Sequence, residues 1–123
     1  MIDFESLTND FEVQYRFYSS EEGGRQGPAL QGYRCDWQYA DIIEERPDQV
    51  WMIWPIFLDS NGRFLPENTE VPNQGIAQML IVDKGLKESV HKNRIRVGIR
   101  GYFVEGLKRI AEASVTRVVD LAQ

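Results

Sequence analysis

The chain shows a period of two between apolar and polar residues in several short segments. The clearest is Phe11–Phe17, in which Phe, Val and Tyr alternate with Glu, Gln and Arg. One face of such an extended segment enters a core and the other meets water. Gly and Pro, with 10 and 5 residues, interrupt the chain often, and short segments between such residues are typical of strands. We predict strands at 11–17, 37–39, 50–58, 76–82 and 94–100.

Turn signals separate these segments. Gly23 and Gly24 follow the first strand, and one of them is expected to have a positive φ, because glycine adopts this conformation without the steric cost that other residues meet. Asn61 and Gly62 suit a tight hairpin. Residues 105–119 fit both a helical spacing and an alternating strand, so that periodicity leaves both structures open there.

The segment 50–58 is apolar on both alternating faces. A strand here would be buried on both sides, and Pro55, which lacks an N–H, would mark an edge, a bulge or a strand end. Trp51 and Trp54 are three residues apart and therefore project to opposite faces of a strand. We expect one of them in the core and the other in an outward apolar patch that makes a contact.

Composition limits the class of protein. With 123 residues, 42% of them hydrophobic and 27% charged, the chain fits a single globular domain over residues 1–123 and not a disordered or collagen-like chain. It has no apolar run of the roughly 18 residues that span a membrane, and residues 1–10 are acidic where a signal peptide is basic. We therefore expect a cytoplasmic protein that does not bind membranes.

Charge is distributed unevenly along the chain. Residues 1–83 carry 15 acidic and 5 basic residues, whereas residues 84–123 carry 4 acidic and 9 basic ones, so that the two parts have net charges of -10 and +5. In the last predicted strand, Arg94, Arg96 and Arg100 would share one face. Such a basic strip could meet a phosphate backbone or an acidic protein face, or it could remain solvated.

Residues that could carry catalysis are few. The single cysteine, Cys35, cannot form an intrachain disulfide or a thiolate cluster and is expected to be buried and inert. The one histidine, His91, lies in a lysine-rich turn and is expected at the surface rather than as a base. No phosphate-binding loop of the G-x-x-x-x-G-K-[ST] type occurs. The sequence thus predicts no enzyme, no bound nucleotide, no cofactor and no metal site.

Three motifs follow one another in the first third of the chain. Phe11-Glu12-Val13 precedes Glu22-Gly23-Gly24-Arg25, which precedes Gly32-Tyr33-Arg34. This series resembles the opening of the C-terminal β-barrel, the third domain, of bacterial elongation factor Tu. The alternating Arg and apolar residues of 94–100 are similar to a later strand of that barrel, and the similarity spans residues 11–119.

The resemblance implies a closed, six-stranded antiparallel β-barrel, in which residues 105–119 would form a strand. In the family this barrel does no chemistry; it helps to hold aminoacyl-tRNA and offers surface to protein partners. Arg25 matches the arginine of a turn that faces the tRNA stem. A second such turn is replaced here by Glu105-Gly106-Leu107-Lys108, which weakens the transfer of tRNA contacts from it.

We therefore expect a stand-alone, non-enzymatic module that binds a protein or a tRNA-bearing component of translation, with binding of tRNA itself weak or absent. The alternative is a small acidic immunity or inhibitor protein that docks on a nuclease toxin. Glycines also shape turns and aromatic residues also fill cores, so each chosen residue has a purely structural interpretation as well. The turn residues are Gly23, Gly24 and Gly32. The candidate binding residues are Arg25, Tyr33, Arg34, Trp51, Trp54, Arg94, Arg96 and Arg100.

Overall fold

The described part of the chain forms one antiparallel sheet, which confirms the all-β class. A computed structural model describes residues 3–42 and 49–122. The strand order is β2-β5-β6-β1-β4-β3, and the described residues also contain one α-helix, α1, and four 3-10 turns. None of these helices is long and apolar enough to cross a membrane. The elements are β1 (Phe11–Phe17), β2 (Asp36–Tyr39), β3 (Ile53–Phe57), β4 (Gln74–Ile81), α1 (Lys84–Ser89), β5 (Arg100–Glu105) and β6 (Lys108–Val118).

The alternation of apolar and polar residues correctly predicted the positions of most of these strands. β1 coincides with the predicted segment, and β2 and β4 differ from theirs by one or two residues at an end. β3 is shorter than the predicted 50–58, although Trp51 and Leu58 just outside it form isolated bridges. Residues 105–119, for which periodicity left two structures open, contain the 11-residue strand β6.

The predicted strand over 94–100 is wrong. Asp83 caps α1 by accepting a backbone N–H at 3.1 Å, and a 3-10 turn at residues 91–93 follows. The chain turns again at Gly98, whose φ is +95°, and β5 begins only at Arg100. A capped helix and a glycine turn therefore override the local alternation.

The sheet curves into an open half-barrel, so the predicted closed barrel is wrong as well. The edge strands β2 and β3 do not form a ladder with each other in the described residues. They meet where Trp37 pairs with Trp51 through two backbone hydrogen bonds of 2.9 and 2.8 Å. Pro55 in the middle of β3 has no N–H, and the N–H of Ile53 already donates to the Trp51 carbonyl. β3 therefore offers few donors to a neighbouring strand.

A buried side chain occupies the remaining edge of β3. Gln31 is 1% exposed, and its Nε2 donates to the carbonyls of Phe57 and Leu65 at 2.9 and 3.1 Å. Its Oε1 accepts the Phe57 N–H at 2.9 Å. The amide thus supplies the acceptor for the Phe57 N–H and one donor to the Phe57 carbonyl, which also accepts the backbone N–H of Leu65 at 3.2 Å. Because backbone groups at a buried edge need partners, Gln31 replaces a strand at this point.

The core on the inner side of the sheet is rich in aromatic rings. The ring of Tyr15 lies 5.1 Å from that of Phe57 and 6.1 Å from that of Phe103. Trp37 is fully buried and packs against Gly101, where an added Cβ would lie 2.3 Å from the indole. Gly101 therefore leaves the space that the indole fills, as the dense packing of a protein interior requires.

The turn after β1 depends on both of its glycines. Gly23 has a φ of +91°, which confirms the positive φ expected in this turn. At Gly24 an added Cβ would lie 2.2 Å from the Tyr18 carbonyl oxygen, so a side chain has no room there. Gly32, the third glycine assigned to a turn, also has a positive φ, of +97°.

Candidate functional site

One group of predicted binding residues meets at the end of the β5–β6 hairpin. Arg25 pairs with Glu105 at 2.9 Å through its Nε, and its guanidinium carbon lies 4.6 Å from the centre of the Tyr33 ring. The Tyr33 hydroxyl donates to the same Glu105 carboxylate. Burial and this carboxylate raise the pKa of Tyr33, so that the hydroxyl remains a donor at neutral pH. Glu105, which sequence analysis did not select, therefore joins two residues that it did.

A second pair lies beside the first. Arg34, which directly follows Tyr33, places its guanidinium carbon 4.3 Å from the centre of the Trp54 ring. Arg34 is exposed and Trp54 is half-buried. An arginine over an indole is a cation–π arrangement, worth about 0.5–1 kcal/mol at an exposed site. Trp54 thus faces outward on β3 with a cation held over its ring.

Tyr33 lines two recesses that connect these pairs. The first has a volume of about 100 Å³ and lies at Trp54. The second, of about 350 Å³, extends from Tyr33 toward Arg25. The first recess is mainly apolar and is lined by Phe4, Leu7, Gly32, Tyr33, Arg34, Trp54, Pro55, Ile56 and Leu80.

Two exposed leucines lie beside the same residues. Leu30 is 41% exposed and lines the second recess, and Leu107 is 95% exposed at the tip of the β5–β6 hairpin, two residues from Glu105. Apolar side chains exposed next to Tyr, Trp and Arg are typical of contact surfaces. We call the whole region the Tyr33 surface: Phe4, Leu7, Arg25, Leu30, Tyr33, Arg34, Trp54 and Leu107.

Trp51 does not belong to the Tyr33 surface. It packs against the core, with its ring 4.9 Å from that of His91 and edge-on to it. Trp51 lies outside β3, so the two tryptophans do not share a strand; both are partly buried, with Trp51 against the core and Trp54 at the outer recess.

The prediction that His91 lies at the surface is wrong. It is 1% exposed, because the short helix α1 and the 3-10 turn after it carry the ring inward. Its Nδ1 lies 2.6 Å from the Tyr39 hydroxyl. Burial, and then the charge of Arg94, lower the pKa of His91 to about 4. The ring is therefore neutral at physiological pH and belongs to the core.

The predicted basic strip does not form, because residues 94–100 are not a strand. Arg94 pairs with Asp41 at 2.7 Å and lies 3.8 Å from the centre of the Tyr39 ring. Arg96 and Arg100 are exposed; Arg96 lies in the loop before β5, and Arg100 lines a polar recess on the outer face of the sheet. The three side chains therefore do not present one common face.

Cys35 does not lie in an environment that activates a thiol. Cys35 is buried, and desolvation raises the pKa of its thiol, which opposes formation of the reactive thiolate. Within residues 3–42 and 49–122, no group of three or more His, Cys, Asp or Glu side chains could hold a metal ion.

Comparison with known proteins gives no family. No protein-family model matches the chain, and no curated protein is significantly similar to it. The resemblance to the elongation factor Tu barrel therefore remains a prediction made from the motifs.

Sequence analysis missed the apolar half of the Tyr33 surface. Phe4 begins the 3-10 turn Phe4–Ser6 and Leu7 follows it, in a segment without a clear period. Leu107 did carry a signal, since the motif Gly-Leu-Lys marks a tight turn, where a leucine is exposed.

Proposed function

We propose that this chain is a non-enzymatic binding module that binds a protein partner through the Tyr33 surface. The observation that carries the proposal is the grouping of Arg25, Tyr33, Arg34 and Trp54 around two recesses. Arg, Tyr and Trp are the residue types that dominate the binding energy of protein interfaces. The resemblance to the elongation factor barrel suggests a component of translation as the partner.

The charges of the described arginines favour a protein partner over tRNA. Arg94 is engaged with Asp41, and Arg25 is engaged with Glu105, so these two guanidinium groups are partly neutralised before any ligand arrives. A phosphate backbone is bound through many basic groups that act together. The Tyr33 surface offers an apolar recess at Trp54 instead.

Affinity capture from a lysate of the source cells tests the proposal. The bait is the whole chain, the lysate is treated with ribonuclease, and the captured proteins are identified by mass spectrometry. We expect a protein that survives the treatment and that is reduced at least fivefold with Leu107→Ser. Val97→Ser is the matched control, because Val97 is also an exposed apolar residue, at 68%, but lies in the loop before β5.

The outcomes separate the candidate functions. Loss of all binding on ribonuclease treatment would favour tRNA and contradict the proposal. A nuclease as the captured protein would favour the acidic inhibitor over a translation component. Capture that Leu107→Ser and Val97→Ser reduce equally would show that the Tyr33 surface is not the contact.

A further inference from the structure

The chemistry of the Tyr33 surface also indicates what kind of segment it binds. We propose that it binds an acidic peptide segment of the partner, in which a carboxylate lies next to a large apolar side chain. This inference rests on the proposed function and specifies it. Two features of the surface carry it: the Arg34 guanidinium is available to a carboxylate, and the Arg25 guanidinium is not.

The first feature is a cation with no carboxylate beside an apolar recess. Among the described residues Arg34 has no acidic side chain within ion-pair distance, and its contact is the Trp54 ring. Stacking holds the planar guanidinium in place while its N–H donors remain available to a carboxylate. The recess next to it is lined mainly by apolar groups, including Leu7, Ile56 and Leu80. An apolar side chain in the recess would bring a neighbouring carboxylate to Arg34.

The second feature is the arginine on the other side of Tyr33, which adds no available cation. Nε of Arg25 is paired with Glu105, and its Nη1 is buried, so an oxygen of the partner segment does not reach it. The surface therefore offers one available guanidinium to a carboxylate, that of Arg34.

The charge of the Tyr33 surface favours a segment with a single carboxylate over a nucleic acid. Glu105 and Arg25 form an ion pair within the surface, so this part of the surface offers little net positive charge to a continuous row of phosphates. One carboxylate needs only the guanidinium of Arg34. The apolar recess at Trp54 also fits an aliphatic side chain, which a nucleic acid does not carry.

Selection from a displayed library of random heptapeptides on the intact chain tests the inference. We expect enrichment of sequences in which Asp or Glu lies within two positions of Leu, Ile, Phe or Trp. The affinity of the selected peptides should fall at least tenfold with Arg34→Gln and should weaken as salt is raised. Arg96→Gln is the matched control, because Arg96 is an exposed arginine in the loop before β5, at the end opposite Glu105. The affinity of the selected peptides for this variant should change less than twofold.

The failures of the two proposals are distinguishable. Peptides that lose binding with Leu107→Ser but show no preference for Asp or Glu overturn the acidic segment and leave the proposed function in place. Equal binding to Arg34→Gln overturns the role of Arg34. If selection on the original chain enriches no peptide that selection on the Leu107→Ser variant does not also enrich, the acidic segment is overturned. If, in that case, total tRNA binds the chain and this binding falls with Arg34→Gln, the protein-binding function is overturned as well.

Discussion

The side chain of Gln31 makes hydrogen bonds that an adjacent strand would otherwise make, and its replacement gives the sharpest test of the fold. Gln31→Met keeps the length of the side chain and removes three hydrogen bonds. The Phe57 carbonyl still accepts the Leu65 N–H at 3.2 Å, so the groups that lose their partner among the described residues are the buried Phe57 N–H and the part-buried Leu65 carbonyl. A net hydrogen bond contributes about 1 kcal/mol, and a buried orphan donor costs about 1–3 kcal/mol. We expect a loss of about 3 kcal/mol.

Urea denaturation followed by tryptophan fluorescence measures this loss, since the chain has three Trp residues. The slope of the free energy of unfolding against urea should remain unchanged, because the same surface becomes exposed on unfolding. A Gln31→Met variant whose stability lies within about 0.5 kcal/mol of the original chain would refute the reasoning, because exposed polar substitutions already produce changes of this size.

A second substitution at the same position gives a pH signature. Gln31→Glu places a carboxyl oxygen where the Gln31 Nε2 donates to the Phe57 and Leu65 carbonyls. Only the protonated carboxyl can donate a hydrogen bond to these carbonyls. Burial and these carbonyls should raise the pKa of the introduced carboxyl above its usual value. The folded state then binds the proton more tightly than the unfolded state, so stability is gained at low pH and lost as pH rises through the folded pKa. A variant with the pH dependence of the original chain would contradict this geometry.

Three further predictions concern the core and the first turn. Lowering the pH from 6.5 to 4 should destabilise the chain by up to about 3 kcal/mol, because the pKa of His91 is lowered to about 4 in the folded state and the unfolded state binds the proton first. Denaturation at several pH values measures this, and the free energy of unfolding should depend less steeply on pH in His91→Gln. Gly101→Ala should cost about 1–3 kcal/mol through overlap with Trp37, and an unchanged melting temperature would contradict this packing. Gly24→Ala should lower the melting temperature because its Cβ would overlap the Tyr18 carbonyl, and Gly23→Val should lower it because a φ of +91° strains a residue with a side chain; an unchanged melting temperature in either variant would argue against the turn geometry.

Local patterns predicted the strands that have one buried face. β1 alternates because Phe11, Val13 and Tyr15 enter the core while Gln14 is exposed, so its sequence alone carries the information. Residues 94–100 have the same alternation and are not a strand, because the capped helix before them and the turn at Gly98 decide their path. Alternation of apolar and polar residues indicates which face a strand would bury. It does not indicate whether a neighbouring strand is present to pair with it.

The open edge and half of the candidate site depended on distant contacts. No local pattern indicates that Gln31 bonds to Phe57, since the two are 26 residues apart. The lysines around His91 in the sequence predicted an exposed side chain. His91 is buried instead, beside the hydroxyl of Tyr39, which lies 52 residues earlier and which no local pattern could indicate. Tyr33, Arg34 and Trp54 were selected individually, and only the tertiary structure brings them together around the recesses.

The strand order has a consequence for how the chain acquires its structure during synthesis. Among the described residues, β2 and β5 join the rest of the sheet through β6, which also pairs with β1; the single Trp37–Trp51 bridge is their other backbone pairing. The bond between Arg16 and Glu112 spans 96 residues. A nascent chain that ends before residue 108 therefore contains two parts of the sheet with no strand between them. Assembly must wait for β6 to leave the ribosome, and because such distant pairings are slow to form, β1 remains available to chaperones until then.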